Sequence, residues 1–281
     1  MNYRHAFHAG NFADVFKHTL LLALLDALNA KPAAWCYVDT HAGRGLYDLG
    51  ADEAARTGEA ALGVGRLLDA AALPAALQRY VDAVRAIATP ARPRAYPGSP
   101  LLAQASLREQ DRAVLCEIVP EEAAALRRAL RNDKRLAIHQ RDGYTALGAL
   151  LPPAQKRGIV LIDPPFEAQG GEFDAITAAL DDAVARWPSA IYAVWFPIKL
   201  RETILPFYRR LHKAYAPADV LTVELLVHPP VSPLRLNGCG IALLNPPWRF
   251  DDALRAWLPR ATELLTQETA ATHRIDWLRR S

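Results

Sequence analysis

At 281 residues, 51% of them apolar and 22% charged, the chain is long enough for one large α/β domain or a core domain with a modest insertion, and it can supply a sizeable core. Its net charge of +3 permits a nucleic-acid partner but falls short of the strongly basic footprint that would argue for one unaided. Leu20 to Leu28 is a short apolar run broken by Asp26 and preceded by Arg4, His5, His8, Asp14 and Lys17, a pattern that fits neither a signal peptide nor a membrane span.

Residues 2 to 18 hold three histidines, Arg4, Lys17, Tyr3 and three phenylalanines, and they open a helix. Asn11 suits its N-cap, and Phe12, Phe16 and Leu20 share a face that belongs to the core. Tyr3, Arg4, His5 and His8 precede that helix; side chains able to stack on a base or bind phosphate seldom crowd so densely in a solvated tail, so the segment reads as part of a site.

Ala34 to Asp39 is the first predicted strand, followed by Thr40-His41-Ala42-Gly43-Arg44-Gly45. An acid closing the strand and two glycines beyond it allow a cofactor close to the backbone, while the Asp-x-x-x-Gly-x-Gly spacing departs from the dinucleotide fingerprint. The next strand of the alternation is Ala113 to Ile118, with Glu117 placed to chelate ribose hydroxyls. The connection between the two is far longer than one crossover helix needs, so residues 46 to 96 hold an insertion, with helices expected from Glu59 to Leu68 and from Leu77 to Ala88. Pro97-Gly98-Ser99-Pro100 reads as a helix start with Ser99 as N-cap.

A helix from Glu121 to Arg131 leads to a strand from Arg135 to Gln140, ending at Asp142-Gly143, where an acid can meet an adenine amino group. The fourth predicted strand, Gly158 to Ile162, is an unbroken aliphatic run that ends in Asp163-Pro164-Pro165-Phe166. Strand carboxyl ends of open α/β sheets are where ligands bind. The prolines make a stiff turn without amide hydrogens. An amino group could therefore give one hydrogen to the Asp163 carboxylate and the other to the Pro164 carbonyl, with the Phe166 ring stacked on its base. Then come a helix from Glu172 to Arg186, a strand from Ala190 to Ile198, a helix from Glu202 to Tyr215, and a hairpin of Val220 to Val227 with Gly240 to Asn245. Asn245-Pro246-Pro247-Trp248 repeats the catalytic pattern, but it closes an antiparallel strand and so belongs at the opposite sheet edge; it reads as a strand terminator with Trp248 packed beneath a C-terminal helix. Cys36, Cys116 and Cys239 lie far apart in apolar runs without metal-ligand spacing, as buried thiols of a reduced, cytoplasmic, metal-free protein would.

Tyr3-Arg4-His5-x-Phe7-His8-Ala9-Gly10-Asn11, Asp39-Thr40-His41-Ala42-Gly43 and Asp163-Pro164-Pro165-Phe166, in this order, closely resemble the RlmJ family of 23S ribosomal RNA adenine-N6 methyltransferases. The resemblance implies a single domain, a Rossmann-like class I fold dependent on S-adenosylmethionine (SAM). Its sheet is expected to be seven-stranded and mostly parallel with an antiparallel C-terminal hairpin strand, with the small helical subdomain at 46–96. It implies cofactor contacts at His18, His41, Gly43, Ser99, Glu117, Asp142, Gly143 and Asp163, with catalysis at Asp163, Pro164 and Phe166 and the RNA side at Tyr3, His5 and Lys17. The implied partner is 23S ribosomal RNA before the large subunit is fully assembled, met by a monomer without membrane or metal. Two other readings share these residues: a guanine-N2 ribosomal RNA methyltransferase, and a noncatalytic RNA- or dinucleotide-binding Rossmann protein.

Overall fold

Ile159, Val160, Leu161 and Ile162 are all buried in strand β6 (Arg157–Ile162), as an aliphatic run with no polar alternation requires. The computed structural model describes residues 5–131, 133–166, 169–215, 218–267 and 271–280. The other strands are β1 (Trp35–Asp39), β2 (Leu46–Asp48), β3 (Ala95–Pro97), β4 (Arg112–Cys116), β5 (Leu136–His139), β7 (Ile191–Ile198), β8 (Val220–Leu226), β9 (Gly238–Leu244) and β10 (Thr272–Arg279). Eight of them form one sheet in the order β10-β8-β9-β7-β6-β1-β4-β5, and β2 pairs with β3 as a separate ribbon. β5, β4, β1, β6 and β7 are mutually parallel, β9 is antiparallel to both β7 and β8, and β10 is antiparallel to β8.

The sheet therefore has eight strands where seven are expected. The additional one, Thr-His-Arg-Ile-Asp-Trp-Leu-Arg, is an edge strand with charged residues along its length. Such charges hinder further edge pairing and also weaken the apolar signal of a strand. Successive residues of β1 and β6 feed two apolar clusters, one on each face. Tyr37, Ile159 and Leu161 join one; Cys36, Val38, Val160 and Ile162 join the other. The three cysteines are buried and free, and burial raises each thiol, to about 12 for Cys36 and Cys116.

The first helix, Phe12–Asn29, is capped by Asn11, whose side chain accepts from the Asp14 N–H at 3.0 Å. Phe12, Phe16 and Leu20 are core residues as expected. The insertion packs on this helix: Leu67, Leu77, Tyr80 and Val81 belong to the same apolar cluster as Phe16 and Leu20. Its second expected helix is present as Ala75–Ile87. The first is present over its expected residues but distorted, with a wide turn at Ala61–Gly65 leading into Arg66–Leu68, where Gly63 leaves helical backbone and the Gly10 carbonyl accepts from the Val64 N–H at 2.8 Å; a separate short helix, Asp52–Thr57, precedes it.

β9 ends beside the beginning of β7, Leu244 facing Tyr192, so Asn245 lies at the edge opposite Asp163. Its side-chain amide donates to the Pro188 and Ala190 carbonyls, both at 2.8 Å, and ties strand ends together. Trp248 departs from expectation: it is 88% exposed and packs beneath nothing, since the helices Phe250–Arg255 and Leu258–Leu265 turn their apolar faces to the sheet without it. Asn245→Ala should lose about 1 to 2 kcal/mol of stability with those two bonds and keep its catalytic rate wherever it stays folded. Thermal melting and methyl transfer measured on one preparation check both halves.

Candidate active site

The turns after β1, β4, β5 and β6 meet on one sheet edge. Asp39, at the end of β1, is fully buried; Tyr37 and Ser99 hydroxyls each donate to its Oδ2 at 2.7 Å, and the His41 N–H donates to Oδ1 at 3.1 Å. Burial outweighs those bonds and pushes its carboxyl up to about 6. Beyond it Gly43 takes φ +62°, a left-handed conformation suited to glycine, and its N–H donates to Glu117 Oε2 at 2.8 Å. Glu117 Oε1 accepts from the Val119 N–H at 2.8 Å, and burial raises this carboxyl. Each Glu117 oxygen keeps a lone pair, which suits a vicinal diol.

Asp142 caps the helix Gly143–Leu150 through the Thr145 N–H at 2.8 Å. Gly143 is packed so tightly on Thr40 that any side-chain carbon there would collide with the Thr40 carbonyl. The His41 ring contacts Thr40 Oγ1 at 2.8 Å and sits edge-on to Tyr144, 5.0 Å between centroids. Burial lowers its pKa to about 4, so it is neutral near pH 7. Ile118, exposed next to Glu117, offers an apolar face to a planar base and was not singled out from the sequence. A buried diol acceptor, a glycine turn and an apolar face on adjacent strand ends fit an adenosine-bearing cofactor such as SAM.

Asp163 follows β6, and its Oδ2 lies 2.6 Å from the Lys17 ammonium. Pro164 is buried and Phe166 half-buried. Phe166 has φ +43°, a strained conformation for a bulky residue that costs on the order of 1 to 3 kcal/mol and tends to persist where a site requires it. Its ring packs edge-on to Phe173 and Trp195 at 5.3 and 5.8 Å.

The structure revises several expectations. Lys17 is 6% exposed and ion-paired to Asp14 at 3.0 Å as well as to Asp163, so it lies inside the site instead of on a phosphate-facing surface. Asp14, absent from the sequence reading of the site, gathers His5 Nε2 at 3.0 Å, the Gly10 N–H at 2.9 Å and Lys17; burial raises its carboxyl, but the neighbouring His5 and Lys17 outweigh this and hold it well below the usual range. His18 is 1% exposed with Nδ1 2.9 Å from the Tyr96 hydroxyl, behind the cleft surface. Ser99 is the first residue of its helix, not the cap; Gly98 takes the cap and the Ser99 hydroxyl turns to Asp39, because the buried carboxylate is the better acceptor. His5 packs edge-on to Tyr47, 4.9 Å between centroids. Tyr3 and Arg4 lie outside the described residues.

His18 is held neutral by burial, its pKa lowered to about 3. A group with a depressed folded-state pKa contributes stability that is present above its unfolded value, near 6.5, and is lost as pH falls towards the folded value. Each such proton changes stability by about 1.4 kcal/mol per pH unit within that window. His18→Gln should therefore melt with a shallower loss between pH 6.5 and 4 than the unmodified protein. Equal slopes in paired melting curves would show that His18 is not the group being charged.

The sheet order, the Gly43 turn facing Glu117 and the Asp163 turn beside them define a Rossmann-like class I methyltransferase, a class that uses SAM as methyl donor. The chain belongs to the family described as Ribosomal RNA large subunit methyltransferase D, RlmJ, whose model matches residues 32–279. It is 36% identical over 279 residues to Ribosomal RNA large subunit methyltransferase J of Haemophilus influenzae and 36% identical over 280 residues to that of Escherichia coli, covering 99% of each chain. A crystal structure of a Legionella pneumophila protein matches with TM-score 0.87 and 33% identity over 96% of this chain and 98% of that one.

Proposed function

We infer that this protein transfers the methyl group of SAM to the exocyclic N6 amine of one adenosine in 23S ribosomal RNA. The observation that carries this reading is the Asp163-Pro164 turn, where a carboxylate and a carbonyl without a neighbouring amide donor sit at the end of β6, on the edge that holds Glu117 and Gly43. SAM supplies a sulfonium methyl, an electrophile that needs no further activation. The nucleophile is what needs help, since the N6 lone pair is delocalised into the adenine ring. Asp163 and the Pro164 carbonyl accept the two amine hydrogens, and that alignment lets the nitrogen rehybridise towards attack. Orientation of this kind is worth roughly 7 to 11 kcal/mol of the barrier. Formation of the N–C bond would be matched by breaking of the methyl–sulfur bond, the sulfur leaving with the electron pair as the neutral thioether of S-adenosylhomocysteine, and the Asp163 carboxylate is placed to take the proton that the methylated amine then gives up.

A paired adenine cannot present N6 in this way. The base enters unpaired or flipped, and Phe166 replaces part of the stacking it gives up. That requirement favours RNA met before the large subunit is fully assembled, by a monomer with the 46–96 insertion and the segment around Tyr3 and His5 on its RNA side. Lys17 belongs with Asp163 as a positioning cation, and His41, Ser99, Glu117, Asp142 and Gly143 form the cofactor side.

The test is incubation of the purified protein and labelled SAM with ribosomal RNA from cells lacking this gene, followed by mapping of the labelled base. N6-methyladenosine at one position of 23S RNA is the expected product. Label on guanine N2 would replace the substrate, and SAM binding without transfer to any RNA would leave a noncatalytic binding protein.

A further inference from the structure

Among the described residues, the most exposed apolar side chain is Leu234, at 93%, and Val231 nearby is 77% exposed. Both lie in the connection between β8 and β9. β8 runs in the same direction as β7, and Leu226 and Ile198 both face Gly238, so this loop leaves the sheet on the edge that carries Asp163. Ile162 faces Val194, which puts Asp163 level with Trp195, three residues before Ile198. At ordinary strand rise and spacing the base of the loop stands about 10 Å above Asp163 and about 10 Å to its side. This is a wall of the cleft mouth, on the scale of a nucleotide next to one held at Asp163.

The loop is built to stay in place. Its anchor is Asn237, fully buried, whose side-chain amide donates to the Lys199 carbonyl at 2.6 Å and the Ser232 carbonyl at 2.7 Å. Asn237 N–H donates to the Ile198 carbonyl, its own carbonyl accepts from the Val227 and His228 N–H groups, and its Oδ1 accepts from Arg235 Nε at 3.0 Å. Prolines at 229, 230 and 233 stiffen the rest. Leu234 and Val231 are thus displayed by a fixed backbone, and they are far more exposed than the other exposed large aliphatics described, Leu62, Ile118 and Leu205, at 41 to 47%.

Charge indicates what they meet. His228 to Asn237 contains no acid, Arg235 lies in the loop, and Lys199 meets the anchor through its backbone carbonyl. Apolar tips amid cations beside a base-accepting cleft suit a nucleic-acid strand whose stack has been opened, where apolar side chains wedge between unstacked bases and cations hold the phosphates. We propose that the 228–236 loop is a preformed wedge of the RNA site, and that Leu234, with Val231, packs against the bases flanking the target adenine and fills the gap that the adenine leaves. This rests on the methyl-transfer reading above and adds to it how the target is kept out of its stack.

Leu234→Ser and the double variant with Val231→Ser test it, since exposed side chains can be shortened without disturbing the fold. Against a structured ribosomal RNA fragment containing the mapped target, kcat/KM should fall roughly 10- to 100-fold, the scale of lost base packing. SAM affinity and melting temperature should be unchanged, and the loss should shrink on a fragment whose flanking bases are already unpaired. A 2-aminopurine at the target position should brighten on binding to the unmodified protein and less on binding to the double variant. Full kcat/KM in both variants, with the unmodified protein active, would overturn the wedge and leave the enzyme assignment standing. An unmodified protein inactive on every ribosomal RNA would remove the assignment and the wedge together. A dimer that Leu234→Ser converts to monomer in sedimentation would make the patch a self-association surface and overturn the wedge.

Discussion

Asp163→Ala should fold and transfer methyl groups to RNA roughly 10²- to 10⁴-fold more slowly, the range expected when a positioned proton acceptor is removed. Stability should change little. Asp163 is partly exposed at the cleft, and Lys17, its partner at 2.6 Å, keeps Asp14 at 3.0 Å as a counter-charge when Asp163 is gone. Asp163→Asn sharpens the argument. It preserves size and one oxygen that can accept an amine hydrogen but cannot take the proton, so its rate should fall between those of the unmodified protein and the alanine variant. SAM affinity measured by calorimetry separates a catalytic defect from loss of cofactor. Incorporation of labelled methyl by Asp163→Ala at close to the normal rate would remove this carboxylate from the mechanism and reopen the case for Asn245.

The parts of the site carried by strands were legible because a strand's burial and direction follow from its own residues. β1, β4 and β6 are short, largely apolar runs, and the acids that end or follow them, Asp39, Glu117 and Asp163, had to fall on the edge where parallel strands finish. The relation of Asp163 to Asn245 was legible for the same reason, since an antiparallel strand carries its end to the other side. What the sequence hid are contacts made across long separations. Ser99 matches a cap in its local setting, but Asp39, 60 positions away, takes its hydroxyl. Lys17 resembles a surface cation beside aromatic neighbours until Asp163, 146 positions away, is seen against it. β10 was missed for a different cause: an edge strand can be half-exposed and charged, and its sequence then lacks the alternation that marks a strand packed on a core. Leu234 carried no signal at all, because an isolated leucine among prolines gives no hint of exposure until its loop is placed.

Lys17→Met should cost both stability and catalysis. The side chain is buried between two carboxylates, Asp14 at 3.0 Å and Asp163 at 2.6 Å, and methionine fills its volume without its charge. Removing one partner of a buried ion pair typically costs about 3 to 5 kcal/mol, because the remaining charge loses its compensation. Here His5 and the Gly10 N–H still serve Asp14, so the lower end is expected. For a chain of this size about 3 kcal/mol corresponds to a melting temperature lower by roughly 6 to 12 °C. Transfer should fall as well, since Asp163 loses the group that fixes its rotamer towards the amine. A second substitution separates the two effects. Asp14→Asn in the Lys17→Met background removes the stranded carboxylate and should recover part of the melting temperature, while activity should stay low because Asp163 is still unheld. RNA affinity measured against salt concentration distinguishes this role from phosphate binding. A buried cation contributes little to counterion release, so the slope should be close to that of the unmodified protein. A slope reduced by about one unit, with an unchanged melting temperature, would return Lys17 to the phosphate-binding surface.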